Sequence, residues 1–143
     1  MGRFSMEKHI ENGAFTERHY AHNGAVRPAS GSIFYYVAPG EATQFHRIDC
    51  DEYWCFNLGS PLEVWQFAPD GALTVTTLGA DTDCEPLVYI SRGTVFAARN
   101  RAGGSEGTFL TCITVPRFSY DGFELISEDD MRAVFPASAR FFE

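Results

Sequence analysis

His46 and Glu52 are the two side chains whose types and spacing most directly permit chemistry. In the run GEATQFHRIDCDEYWCFNLG, His46 falls six residues after Gly40, Glu52 six after that, and Gly59 seven later. His46 ends one expected strand and Glu52 begins the next, with the turn Asp49-Cys50-Asp51 between them. Side chains alternate across a strand, so this arrangement turns both toward the same interior face. A carboxylate within reach of an imidazole fixes its tautomer and raises its pKa toward or above neutrality. Such an acid–base pair suits proton abstraction next to a carbonyl, or protonation of a developing enolate, as in epimerases, isomerases, cyclases and lyases. The competing structural reading is that the pair only ties two strands together.

Alternation from Glu52 also sends Trp54 and Phe56 inward, toward either an aromatic pocket wall for a planar or apolar ligand or a filled core. Of Tyr35 and Tyr36, period two admits one inside, where its phenol is a candidate hydrogen-bond donor or proton carrier. Arg47 and Asp49 should point away from His46 on a regular strand. Glu17, Arg18, His19 and Tyr20 alternate in a segment expected as a surface strand, with a barrel mouth or subunit interface as the alternative.

Short β-rich segments bounded by Gly, Pro, Asp or Asn must position these groups. The pattern predicts strands at Ser32–Ala38, Thr43–Ile48, Glu52–Leu58, Leu62–Ala68, Ala72–Leu78, Leu87–Ile90, Val95–Arg99 and Phe109–Val115. Pro69-Asp70-Gly71 predicts a hairpin turn, since proline presets φ and Asp-Gly tolerates positive φ. The glycine-rich stretch Asn100–Gly107 reads as an exposed connection. One helix is expected late, capped by Ser127, with acids in its first turn and Pro136 beyond its end. A leader over residues 1–8, of which the first five are given no structural role, is expected to precede one domain over 9–143.

The spacing of Gly40, His46, Glu52 and Gly59 resembles the first motif of the cupin superfamily, whose second histidine position is here Ile48. Ser91, Gly93, Phe96 and Asn100 fit the second motif, with serine where proline is usual and Phe96 at the ligand position. The phrases HRIDCDEYWCFNLGSPLEVWQFAPDG, CEPLVYISRGTVFAA and VPRFSYDGFEL, with HIENGAFTERHY near the start, resemble the small cupin-5 family, a former domain of unknown function. That family usually has Trp and Gln at the positions of Val95 and Phe96. The resemblance implies an all-β fold, a cupin (jelly-roll-like) β-barrel with a short C-terminal helix, and a homodimer. It brings Phe96 to the pocket wall and makes Glu17 and Arg18 further substrate-binding candidates. It leaves only His46 and Glu52 of four expected metal ligands, and two adjacent ligands rarely hold a divalent ion. No cofactor is therefore expected. A divalent metal at His46 and Glu52 is the weaker alternative, with Cys112, Gln44 and Gln66 the nearest candidates for a third ligand. Gln44 also counts among the substrate-binding candidates.

With 143 residues, 45% of them hydrophobic and 21% charged, the chain is long and apolar enough to bury an ordinary core. The net charge of −8 disfavours nucleic acid and anionic membrane surfaces, and no segment reaches the roughly 20 apolar residues of a membrane span. Cys50, Cys55, Cys84 and Cys112 show no zinc or redox spacing, and a cytoplasmic protein with reduced cysteines is expected. Two functions lead, a metal-independent acid–base enzyme (isomerase, epimerase, cyclase or lyase type) acting on a partly apolar or aromatic metabolite and a ligand-binding module without chemistry, with a metal-dependent enzyme as the weaker third. Replacing His46 distinguishes them, since the first loses turnover and the second only affinity.

Overall fold

The computed structural model describes residues 4–21, 27–100 and 106–143. Its strands are β1 (Glu7–Lys8), β2 (Ala14–Ala21), β3 (Ser30–Val37), β4 (His46–Arg47), β5 (Asp51–Gly59) and β6 (Leu62–Phe67). They continue with β7 (Leu73–Leu78), β8 (Leu87–Ile90), β9 (Val95–Arg99), β10 (Thr108–Val115) and β11 (Glu124–Leu125), before helix α1 (Glu128–Val134). A six-stranded sheet runs β1-β2-β3-β10-β5-β8 and faces a five-stranded sheet, β11-β4-β9-β6-β7. All named pairings are antiparallel. The all-β, jelly-roll-like expectation holds, but the two sheets do not close into a barrel. At one seam the Gln44 amide donates to the Glu11 carbonyl. At the other, the Gly79 amide donates to the Glu85 carbonyl and the Glu85 amide to the Thr77 carbonyl, beside an isolated Leu78–Glu85 bridge.

Leu87–Ile90 and Val95–Arg99 have the bounds that alternation predicts, and most other strands differ by a residue or two. Thr43–Ile48 does not. Its backbone is divided among partners, since Thr43 donates to Ala98, Gln44 to Glu11, and Phe45 accepts from Ile126, so only His46–Arg47 is ladder. The hairpin at 69–71 forms, with Gly71 at φ 90° and its amide donating to the Ala68 carbonyl. The predicted leader is corrected from Phe4 onward: β1 pairs with β2, and the Phe4 ring packs edge-on against Phe34 at 4.9 Å. Most of the expected Asn100–Gly107 connection lies outside the described residues, but Asn100 and Gly107 themselves are buried, not exposed. The Asn100 amide donates to Thr108, and the Gly107 carbonyl accepts from Ser60.

Two cores separate three layers. Between the sheets lie Val37, Trp54, Leu62, Val64, Leu78, Ile90 and Leu110. The outer face of the small sheet buries Phe45, Trp65, Phe67, Val95 and Ala97 against Met131 of α1 and Phe141 of the 3-10 segment Pro136–Phe142. Strand β9 is thereby buried on both faces, which explains why VFAAR reads as a continuous apolar run ending in a charge. Ser127 caps α1 by accepting from the Asp130 amide, as its sequence implies.

Arg99 at the end of β9 holds the third layer in place. Its Nε donates to Glu63 at 2.8 Å, and Nη1 donates to the carbonyls of Arg140 and Phe141 at 3.1 and 2.6 Å. The guanidinium also lies 5.0 Å from the Trp65 ring centroid. Arg99→Met should therefore cost about 2–4 kcal/mol in urea unfolding, because a buried and a partly buried carbonyl lose their donor and a half-buried carboxylate loses its cation. Removal of Arg99 with no loss of stability would show that the apolar contacts of Met131 and Phe141 suffice.

Candidate functional site

A cavity of about 370 Å³ opens between the sheets at the end where β2, β3 and β10 face β4. Its buried end presents His9, Glu11, Tyr35, His46, Glu52 and Cys112. Toward solvent the walls become aromatic, through Phe15, Phe118, Tyr120 and Phe123, and the Arg117–Glu17 ion pair stands there at 2.5 Å.

Glu11 reaches the buried end on a tight turn between β1 and β2. The His9 amide donates to Gly13 and the Asn12 amide to His9, with φ values of 77° and 79° at Asn12 and Gly13. A side chain at position 13 would start 2.2 Å from the Tyr35 ring, so only glycine permits this approach. Both sheets grip the turn. The Tyr35 hydroxyl of β3 donates to the Asn12 carbonyl at 2.6 Å. From the small-sheet side, Gln44 N–H donates to the Glu11 carbonyl at 2.9 Å and Asn12 Nδ2 donates to the Ala42 carbonyl at 3.1 Å.

This turn supplies the carboxylate of the acid–base pair. Glu11 Oε2 lies 2.6 Å from His46 Nε2, so Glu11, not Glu52, is the direct partner of the histidine. His46 Nδ1 faces the Gln44 carbonyl at 2.9 Å. A carbonyl only accepts, so Nδ1 carries a proton; a carboxylate at Nε2 asks for a second proton there. The arrangement therefore favours an imidazolium. Burial opposes that charge as the strongest single influence, but the charge and close contact of Glu11, with the Gln44 carbonyl and Glu52, together leave the His46 pKa raised. Glu11 Oε2 meets the ring off the line of its N–H and makes no well-aligned hydrogen bond, so its lone pairs remain available in a buried site.

Glu52 enters the same end from β5. Burial, and then the charge of Glu11, push its pKa up to about 7, so near neutrality it holds a proton about half the time. Burial also raises the Cys112 thiol and the Tyr35 phenol well above their ordinary values, leaving both neutral. Burial lowers His9, with attraction to Glu11 pulling the other way and repulsion from His46 adding to the fall. His9 Nδ1 accepts from the backbone N–H of Glu11 at 3.2 Å.

The other sequence-predicted residues divide. Tyr35 is the inward tyrosine, but its proton is committed to Asn12, while Tyr36 lies outward over Gly107. Glu17 lines the cavity; Arg18 falls at a bulge in β2 and lies over the Phe4 and Phe34 rings, away from it. Trp54, Phe56 and Phe96 belong to the inter-sheet core and do not line the cavity. Trp54 backs Tyr35 edge-on at 5.9 Å, and Phe96 packs its ring 4.1 Å from His46, centroid to centroid. The Gln44 side chain is exposed, and its backbone rather than its amide serves the site. His9 and Glu11 fall within HIENGAF, where the spaced His and Glu carry a signal, but nothing local shows that a turn folds them into the interior.

The donors fit a resident metal poorly. Ile48 and Phe96 are apolar, and both His46 nitrogens face protein oxygens. Among the described residues, no group of three His, Cys, Asp or Glu side chains is arranged to hold an ion, whereas catalytic zinc or non-haem iron normally takes three protein ligands. Gln66, one of the suggested third ligands, stands outside the cavity. Among the described residues, no helix is long and apolar enough to cross a membrane.

The family model described as Cupin superfamily (DUF985) matches residues 1–126. A solved structure from Shewanella oneidensis is 27% identical, with a TM-score of 0.86 over 94% of this chain and 87% of that one. A hypothetical protein from Leishmania major has a TM-score of 0.87 at 21% identity, over 95% of this chain and 90% of its own. Oxalate decarboxylase from Bacillus subtilis matches at 16% identity and a TM-score of 0.64, over 94% of this chain and 34% of the decarboxylase. The last two likenesses concern the fold alone. No curated protein matches the chain.

Glu52 gives the site a pH signature. Its pKa rises from 4.5 in the unfolded chain to about 7 in the folded one, so the folded state binds the extra proton across that window. Stability attached to Glu52 is present below pH 4.5 and declines as pH rises toward 7; the raised His46 likewise loses its contribution as pH rises through its folded pKa. Glu52→Gln should match wild type near pH 4.5 and exceed it by up to about 3 kcal/mol at pH 8, measured by urea unfolding. An equal advantage at both pH values would show that Glu52 does not titrate in this window.

Proposed function

This chain belongs to the Cupin_5 family of the cupin superfamily, and on that footing we propose that it is a small-molecule enzyme working by acid–base catalysis without a metal cofactor, of isomerase, epimerase, cyclase or lyase type. The observation that carries this reading is the 2.6 Å contact of Glu11 with a His46 whose other nitrogen is already occupied, beside Glu52 at a pKa of about 7. A carboxyl that burial keeps protonated toward neutrality can serve as the acid beside a second carboxyl group placed as the base.

In this reading Glu11 is the base. His46 holds its negative charge in place, as a positioning residue with no free nitrogen to offer a substrate. Glu52 is the acid, supplying a proton that burial and the Glu11 charge have kept on it. The aromatic walls and the 370 Å³ volume suit a small, partly apolar metabolite. This division of labour departs from the sequence expectation: proton transfer passes from His46 to Glu11, His46 becomes the positioning residue, and Glu52 becomes the acid instead of the orienting carboxylate.

The test is to incubate the purified protein in D2O with a panel of carbonyl metabolites carrying an acidic C–H, and to follow deuterium incorporation by mass spectrometry. Glu11→Gln should slow enzyme-dependent exchange by about a hundredfold or more, with circular dichroism unchanged. His46→Gln should slow it by a smaller factor and shift its pH profile. Compounds that raise the melting temperature but never exchange would favour the non-catalytic ligand holder instead, and exchange untouched by Glu11→Gln would remove Glu11 as the base.

A further inference from the structure

His9 is not used by the chemistry above, yet it stands at the same buried end and shares the same carboxylate. Its Nδ1 lies 3.5 Å from Glu11 Oε1, while His46 holds Oε2. The two imidazoles are not equivalent. Nδ1 of His9 accepts a hydrogen bond from the Glu11 backbone amide, so a neutral His9 carries its hydrogen on Nε2. Phe15, Tyr35, Phe118, Tyr120 and Phe123 all place their rings within 6.3 Å of the His9 ring centroid, an environment that disfavours a second charged imidazole.

The other nitrogen and phenol donors at this end already have partners. Both His46 nitrogens face oxygen atoms, and the Tyr35 hydroxyl donates to Asn12. The Nε2–H of His9 has no protein acceptor among the described residues, and it is not among the sealed polar atoms that lack a partner. It therefore opens on the cavity that His9 lines.

We propose that His9 is a further catalytic residue, a neutral imidazole whose Nε2–H holds the oxygen of a substrate carbonyl while Glu11 removes a proton from the adjacent carbon. This rests on the acid–base reading and narrows its substrate class to compounds with a carbonyl next to an acidic C–H. The C–H bond breaks and its proton goes to Glu11. Its electron pair forms a C=C bond, and the carbonyl π pair moves to the oxygen, where His9 stabilises the enolate. The proton of the Glu52 carboxyl is then delivered to carbon. The neighbouring carboxyls reset by passing the proton from Glu11 to Glu52, and nothing is oxidised or reduced. A neutral imidazole suits this task because it lends a hydrogen bond without surrendering its proton.

The probe is phenylacetone, a small aromatic ketone with acidic C–H bonds, incubated with the full chain in D2O. Deuterium incorporation should fall about a hundredfold in His9→Phe, which keeps an aromatic ring but has no donor, and much less in His9→Gln, whose amide restores one. Nitrogen-15 NMR of the wild type should show a neutral His9 protonated at Nε2 at pH 7, with the Nε2 signal moving when phenylacetone is added. If Glu11→Gln abolishes exchange while His9→Phe matches wild type, the role of His9 is overturned and the acid–base reading stands. A His9 protonated at Nδ1 overturns the role as well. If the wild type gives no exchange above that of Glu11→Gln, both fall together.

Discussion

Burying a charged imidazole and a carboxylate together costs several kcal/mol of lost hydration per ion, and only close contact with well-placed neighbours offsets it. The Glu11–His46 contact meets that condition because its two halves are held by backbone rather than by long side chains. Gln44 does this twice, its carbonyl orienting His46 and its amide fixing the Glu11 carbonyl. Tyr35 and Ala42 then grip Asn12 from opposite sheets. The seam between the sheets and the arrangement of the site are thus one set of bonds, and the open side of the sandwich is where the cavity forms.

One charge sets the state of its neighbours. With Glu11 paired to His46, a second full negative charge nearby is unfavourable, and Glu52 retains its proton to about pH 7. Two histidines on one carboxylate cannot both be charged at low cost, and His9, ringed by aromatic side chains, is the one whose pKa falls. Three titratable groups, His46, Glu52 and His9, are therefore shifted in different ways around one carboxylate within a single small volume.

Phe96 and Ile48 give this arrangement its apolar side. Phe96 pairs with His46 across β4 and β9 and packs on its ring, occupying the space from which a second motif ligand would point. The histidine is left with a protein carboxylate as its partner. Beneath it, β9 is fixed on both faces, by the inter-sheet core and by the C-terminal segments that Arg99 ties down, so the His46 side of the cavity rests on a rigid floor.

Alternation and turn chemistry in the sequence determined most of the strand succession, though not β1, β11 or the shortness of β4, together with the hairpin at Pro69-Asp70-Gly71 and the Ser127 cap, because these depend on neighbours a few residues away. The Gly40 to Gly59 spacing likewise determined that His46 and Glu52 turn inward. Which carboxylate meets His46, and whether Trp54 and Phe96 form wall or core, was decided by tertiary structure alone. Glu11 and His46 stand 35 positions apart in the chain, and their meeting depends on a positive-φ turn beneath Tyr35 and on a hydrogen bond between sheets. Period two tells which face a side chain takes but not how far along that face the facing sheet has filled the space. Trp54 and Phe96 lie where the sheets touch, and His9, Glu11 and Glu52 where they part.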